Sequence, residues 1–345
     1  MSDVTDITVG SRDGHSAGDA GGRGAGPPRR KRRAWRIALI ALGSLFGLVV
    51  VLAVGSYAYV NHVVSSIPRI PVAHLVAAST GSGQTFLVTS NQTGPTGTTI
   101  HDASLGNQAN LVMLLHIDAD GKQGGAVAIP QDLVVNVPGA GTRPLSYALK
   151  TGGPSLLVQT VSQFTGVGIN HYAQVDFNHV ASLVNAIGGV DVTIPAATTS
   201  FGHTFSSGVN HLNGVTAIYY AREPSLDDQN RMLRQANFVR AVLVKIADDH
   251  LVTNPVTMVR VLNSITSALT LDSNMSNSDV ESLAKNFGHL GGSAGTFVVT
   301  PTHMVNGNQV LTTPEAGQLW KAVEQDSIAA FAQQHPEALT PTSVP

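Results

Sequence analysis

From Ile37 to Val60 the chain contains no Asp, Glu, Lys or Arg. At 1.5 Å per residue, a helix of that length crosses a hydrocarbon core of about 30 Å. Arg29-Arg30-Lys31-Arg32-Arg33 and Arg36 stand directly before it, and Trp35, Tyr57 and Tyr59 lie where interfacial aromatics belong. Basic residues hold their flank in the cytoplasm. The run therefore predicts one transmembrane helix over 37–60, a basic cytoplasmic tail over 1–36, and everything after Val60 outside the cell membrane. A cleaved signal peptide is the rival reading, against which stand the length of the run and its extended leading tail. A nuclear-localisation reading of the basic cluster is opposed by its contact with the apolar run.

The overall charge of −2 conceals a division, since the first 60 residues carry +4 and the remainder −6. A nucleic-acid binder would place its basic excess on the folded part, so no nucleic-acid partner is expected. Cysteine is absent, which excludes a disulfide framework, a thiolate metal site and a thiol nucleophile. Hydrophobic residues make up 43% of the chain, enough for a real core. Met1 to Pro28 is too rich in Gly, Ser and Asp to offset its ordering entropy and is read as disordered.

Residues 61–83, with Pro68, Pro71 and Gly81-Ser82-Gly83, read as a stalk, and 84–331 as the extracytoplasmic domain. Thr85–Val88, Leu111–Ile117, Ala126–Ile129, Val134–Val137, Tyr172–Val175, Val190–Ile194 and Phe297–Val299 have strand patterns. Helices are predicted from Pro154 to Phe164, His179 to Ile187, Gln229 to Asp248, Pro255 to Ile265, Asp279 to Phe287, and Thr313 to Phe331. Strands alternating with helices give an α/β domain, and 332–345 read as a disordered tail.

Between Tyr219 and Gln235 the sequence concentrates Arg222, Arg231 and Arg234. Guanidinium forks suit phosphate oxygens, at about 1.5–3 kcal/mol per charge-assisted hydrogen bond. A solvated basic helix face is the alternative, and both Arg231 and Arg234 fall off the apolar stripe Met232, Ala236, Val239, Leu243, Ile246. His116, flanked by apolar residues, is expected to be a satisfied core or rim side chain. No HExxH spacing or Walker A loop occurs.

Several segments together resemble the LytR-CpsA-Psr family of membrane-anchored cell-envelope proteins. They include Leu114-Leu115-His116-Ile117-Asp118, Ala128-Ile129-Pro130-Gln131-Asp132, Val137-Pro138-Gly139-Ala140-Gly141 and Gly152-Gly153-Pro154. They continue with Gln159-Thr160-Val161, Phe164-Thr165-Gly166, Val175-Asp176-Phe177, Gly188-Gly189-Val190-Asp191-Val192, His211-Leu212-Asn213-Gly214 and Tyr220-Ala221-Arg222, ending at Arg231 to Gln235. The resemblance implies a three-layer α-β-α sandwich with a mixed central sheet and an apolar tunnel for a polyprenyl chain. It also implies transfer of an anionic glycopolymer from a polyprenyl diphosphate carrier to peptidoglycan, with Mg²⁺ or Mn²⁺ if the site is active. Arg222, Arg231, Arg234 and Gln235 then correspond to the diphosphate-binding residues.

The sequence departs from the family where that chemistry sits. Asn91 and Asn110 occupy the two metal-binding Asp positions, Gln108 and Gln131 occupy two Arg positions, and Thr93 and Pro224 replace two further arginines. Mg²⁺ is held through at least one carboxylate, and its loss removes several kcal/mol of transition-state stabilisation. Acids and arginines missing together read as a site relieved of its metal chemistry. Asp102 and Asp132 are the candidate replacement ligands, with Asp118, Asp227 and Asp228 also remaining. An Asp in a loop is more usually a turn residue or helix cap. The sequence thus predicts retained lipid-phosphate binding with weakened or lost catalysis. Two alternatives stay open: an active transferase with a relocated metal site, and a protein-interaction module of the cell wall.

Overall fold

The computed structural model describes residues 55, 57–79, 81–91, 111–223, 226, 228–247, 255–283 and 295–344. The tail over 1–36, all but the end of the run over 37–60, and Asp102, Gln108 and Asn110 lie outside them. Among the described residues no helix is long and apolar enough to cross a membrane.

A seven-stranded mixed sheet forms the centre. Its order is β1 (Arg69–Ile70), β12 (Leu269–Asp272), β7 (His171–Asp176), β2 (Gln84–Asn91), β3 (Val112–Ile117), β4 (Gly124–Ile129) and β13 (Gly295–Val299). Strands β2 and β7 run parallel, as do β4 and β13 and also β1 and β12, while β3 is antiparallel to both neighbours. Every residue of β3 is buried, so both faces of the sheet must be covered, and the two-residue period of a strand divides the load. Leu87, Val112, Leu114, Val127 and Tyr172 enter one apolar cluster, and Phe86, Met113, Leu115, Ala126 and Ala128 enter another.

On the first face pack α1 (Leu145–Thr165), α6 (Thr313–Glu324) and α7 (Ile328–Gln334), which contribute Leu157, Val161, Leu319, Trp320 and Phe331. The other face receives Met232, Ala236 and Leu243 of α4 (Asp228–Ile246). A third cluster joins α2 (Phe177–Ala186), α3 (Gly214–Ala221), α5 (Pro255–Ala268) and the hairpin of β8 (Val190–Ile194) with β11 (Gly208–Leu212). Three smaller hairpins, β5 (Val134–Val137) with β6 (Gly141–Pro144), β9 (Thr198–Ser200) with β10 (His203–Phe205), and β14 (Thr302–Val305) with β15 (Asn308–Leu311), complete the strands.

The segment over 61–83 is not a free stalk. Its residues 61–65 are helical, Val63, Val64 and Ile67 are buried, and β1 pairs with β12. Pro68 and Pro71 are compatible with this because β1 is a short edge strand, where a missing N–H breaks no ladder. The end of the chain is likewise packed. After a 3₁₀ turn at Pro336–Ala338, the Thr340 N–H donates to the Phe297 carbonyl at 2.9 Å, and Val344 is fully buried. The helix predicted from Pro154 starts nine residues earlier, with Gly153 breaking it internally at φ 62°, ψ −159°. The single helix predicted over 313–331 is two, divided at Gln325-Asp326-Ser327.

Candidate functional site

Asn213 starts α3 by accepting hydrogen bonds from the N–H groups of Val215 and Thr216, each at 3.0 Å. The helix ends at Arg222, whose N–H reaches the Ile218 carbonyl. Helix α4 then returns across it. The Arg234 guanidinium lies over the Tyr220 ring at 5.0 Å from its centroid and donates to the Tyr220 carbonyl at 3.4 Å. Gln235 Nε2 donates to the Ala221 carbonyl at 3.4 Å, and Arg231 Nη2 to the Leu226 carbonyl at 2.7 Å. The structure thus brings Arg222, Arg231, Arg234 and Gln235 together.

All four are buried, Arg234 completely. This corrects the reading of a solvated basic face. Helix α4 is covered on two sides, by the sheet through Met232 and Leu243 and by α2 and α3 through Phe238, so residues off its main stripe are also enclosed. Burial pulls the Arg222 guanidinium below its ordinary pKa. It does the same to Arg234, against the opposing influence of the Tyr220 hydroxyl and Glu223. A cation held in low dielectric has lost hydration, and an anion brought to it restores that stabilisation.

Gln235 also reaches a cavity of about 270 Å³. The cavity lies between the sheet and α4, with Phe86, Met113, Ala173, Val239, Leu243 and Leu271 among its walls, and Gln235 is the one polar side chain lining it among the described residues. Gln235 thus links the cavity wall to the segment that carries the arginines.

Other predicted positions meet at one edge of the sheet through the backbone. Asn91 closes β2 and pairs in register with Asp176, which closes β7. Gln131 and Asp132 follow the end of β4, where the Gln131 carbonyl accepts from the Ser146 N–H at 2.8 Å. No three His, Asp or Glu side chains come within ligand distance of one another at that edge among the described residues. The donors described there do not assemble the carboxylate-rich shell that a hard divalent cation takes.

Asp118 lies at the opposite edge. It follows β3, whose His116 pairs in register with Thr85 at the start of β2, about 20 Å along the strand from Asn91. His116 is the satisfied side chain the sequence predicts, with Thr85 Oγ1 at 2.9 Å from Nδ1 and Asp326 Oδ1 at 2.7 Å from Nε2. Burial first, then the neighbouring carboxylates Asp326 and Asp120, push the Asp118 carboxyl above its ordinary value, against the lowering effect of His116. Asp326 went unremarked from sequence because 210 positions separate it from His116. Glu223, buried beside the arginines, and Tyr220 carry no signal apart from their place in the motif.

Comparison with known proteins places these features in a family. The LytR_cpsA_psr family model matches residues 96–330. The chain is 33% identical over 152 residues to the probable cell wall biosynthesis protein LcpB of Corynebacterium glutamicum, covering 43% of this chain and 36% of LcpB. It is 31% identical over 137 residues to the polyisoprenyl-teichoic acid–peptidoglycan teichoic acid transferase TagU of Enterococcus faecalis, covering 39% of this chain and 45% of that one. The chain thus spans less than half the length of these curated relatives. In fold it is similar to a LytR-Csp2A-Psr enzyme from Actinomyces oris, with a TM-score of 0.59 at 20% identity over 75% of this chain and 96% of that one. It is also similar to TagT bound to LIIa-WTA, with a TM-score of 0.57 at 19% identity over 76% of this chain and all of that one. On the family match, which spans most of the folded region, the chain belongs to the LytR-CpsA-Psr family.

Proposed function

We propose that this chain is a membrane-anchored cell-envelope protein that binds a polyprenyl phosphate or diphosphate, with weakened or lost phosphotransfer. One observation carries the reading: Gln235, the only polar wall residue of the cavity among those described, follows buried Arg234 on α4, and both side chains donate to carbonyls at the end of α3 that bears Arg222. An isoprenoid chain buries apolar surface at about 25 cal/mol per Å², and phosphate oxygens suit the arginine forks at its polar end. The basic cluster at 29–36 and the apolar run after it support an anchor with its N-terminus in the cytoplasm and the folded domain outside. The three-layer arrangement, with helices over both sheet faces, suits a lipid held between layers.

Amides at positions 91, 108, 110 and 131 support reduced catalysis, since they offer neither the charge that holds Mg²⁺ or Mn²⁺ nor that which stabilises a diphosphate. The relatives named as teichoic acid transferases support a glycan borne by the carrier and peptidoglycan as its acceptor.

The test offers a polyprenyl-diphosphate-linked glycan to the full-length chain with Mg²⁺ or Mn²⁺. Lipid is expected to bind without release of polyprenyl phosphate, and Arg231→Gln to weaken binding about 10- to 150-fold, the equivalent of 1.5–3 kcal/mol. Turnover abolished by Arg222→Ala would establish an active transferase. No lipid binding would leave a protein-interaction module.

A further inference from the structure

A second cluster of ligand-type side chains stands at the sheet edge opposite Asn91 and Asp132. His116 comes from β3, Asp118 from the turn after it, and Asp326 from the link between α6 and α7. One donor atom from each lies within 4.8 Å of the others. We propose that His116, Asp118 and Asp326 bind one divalent transition-metal ion, Zn²⁺ by their donor set, with water completing the shell.

The geometry is close to what such an ion requires. Tetrahedral bonds of about 2.0–2.1 Å to nitrogen and oxygen set neighbouring donors about 3.3 Å apart. His116 Nε2 lies 2.7 Å from Asp326 Oδ1 and 3.9 Å from Asp118 Oδ1, so sub-ångström shifts of opposite sense bring both imidazole distances to that value, and the two carboxylates start within 4.8 Å of each other. Supporting contacts aim the donors. The Thr85 hydroxyl sits 2.9 Å from His116 Nδ1, where it can accept a hydrogen bond from the Nδ1–H tautomer and leave Nε2 with its lone pair for a metal. The Ala119 N–H donates to Asp326 Oδ2 at 2.9 Å, leaving Oδ1 directed at the imidazole.

Gly83 provides an independent indication that the space is kept. A Cβ at that position would fall 2.5 Å from Asp326 Oδ1 and 2.7 Å from the His116 ring. His116 is itself 3% exposed, so the imidazole is fixed within the fold and is not a surface ligand of chance. One nitrogen with two carboxylates suits Zn²⁺ better than Mg²⁺ or Ca²⁺, which take oxygen shells. A bound ion would fasten the sheet to the link between α6 and α7.

The experiment strips the full-length chain with a chelator, adds Zn²⁺, and measures bound metal by elemental analysis and competition with a chromophoric chelator. One equivalent is expected for the wild type. Asp118→Asn, which leaves the His116–Asp326 hydrogen bond in place, should weaken binding at least tenfold while leaving the metal-free melting temperature unchanged. Thr85→Val should weaken it 10- to 100-fold, and Asp132→Asn, at the other edge, should not change it. A wild type that binds no equivalent overturns the proposal, as does metal that Asp118→Asn and Thr85→Val bind with wild-type affinity.

Discussion

Asp272 is a fully buried carboxylate at the end of β12, close to His171. Burial raises its pKa, but hydrogen bonds from His171 at 3.2 Å, the Tyr172 N–H at 3.0 Å and the Asn274 N–H at 2.9 Å outweigh that and hold it below the ordinary carboxylate value. A depressed folded-state pKa stabilises the fold above the unfolded value of about 3.9, and that contribution is lost as pH falls through the folded value. Asp272→Asn is therefore expected to destabilise the chain by about 1–3 kcal/mol at pH 7. The gap from wild type should narrow below about pH 4. Denaturant unfolding between pH 2 and 7 checks this, and a constant gap across that range would refute it. The same residue scale explains the limits of sequence reading at the site. Arg222, Arg231 and Arg234 stand within one motif, whereas the partner of His116 comes from the far end of the chain, and no spacing rule joins them.

Among the elements, the motif His211-Leu212-Asn213-Gly214 proves to serve architecture. Asn213 caps α3, and Gly214 lets it approach α2 so closely that a Cβ there would collide with the Ala181 carbonyl. Asn213→Ala should destabilise by about 0.5–2 kcal/mol, and Gly214→Ala by about 1–3 kcal/mol through overpacking, both measurable by denaturant unfolding. Facing the cavity from β7, Ala173 offers a means of separating lipid binding from folding. Ala173→Phe is expected to occupy part of the cavity and abolish copurifying lipid while the melting temperature holds or rises. Lipid retained at wild-type levels would place the isoprenoid elsewhere.

Elements with long β-branched or apolar runs were legible in the sequence, and Val134–Val137 and Val190–Ile194 match to the residue. Short or polar strands were not. Strand β1 has two residues and β6 is wholly exposed, so neither carries a hydrophobic period. In α1 the Gly152-Gly153-Pro154 run resembles a helix start, yet the chain is helical on both sides because Gly153 absorbs the break at positive φ.

For the whole molecule, Ala58–Pro345 forms one compact unit. The residues just after the apolar run belong to its core: Val64 and Ile67 join the cluster that lines the cavity, and Ile67 forms part of its wall. A protein beginning at Ala58 should unfold cooperatively. One beginning at Gln84 should lose β1, melt lower and bind a hydrophobic dye, as comparison of the two by calorimetry and dye fluorescence would show. Composition could not reveal this, since prolines and small residues suit an edge strand as well as a tether. The closing residues are similar, for Arg240 donates to the carbonyls of Thr340 and Pro341 at 3.0 and 2.9 Å and ties that strap to α4.

The 270 Å³ cavity also gives the chain a mechanical property. Internal void volume lost on unfolding makes the unfolded state the smaller one, so compression favours it. A lipid filling the space removes much of that volume difference. Delipidated protein should therefore unfold at lower hydrostatic pressure than the lipid-loaded form, by a larger margin than their thermal stabilities suggest, and the pressure midpoint becomes a gauge of occupancy.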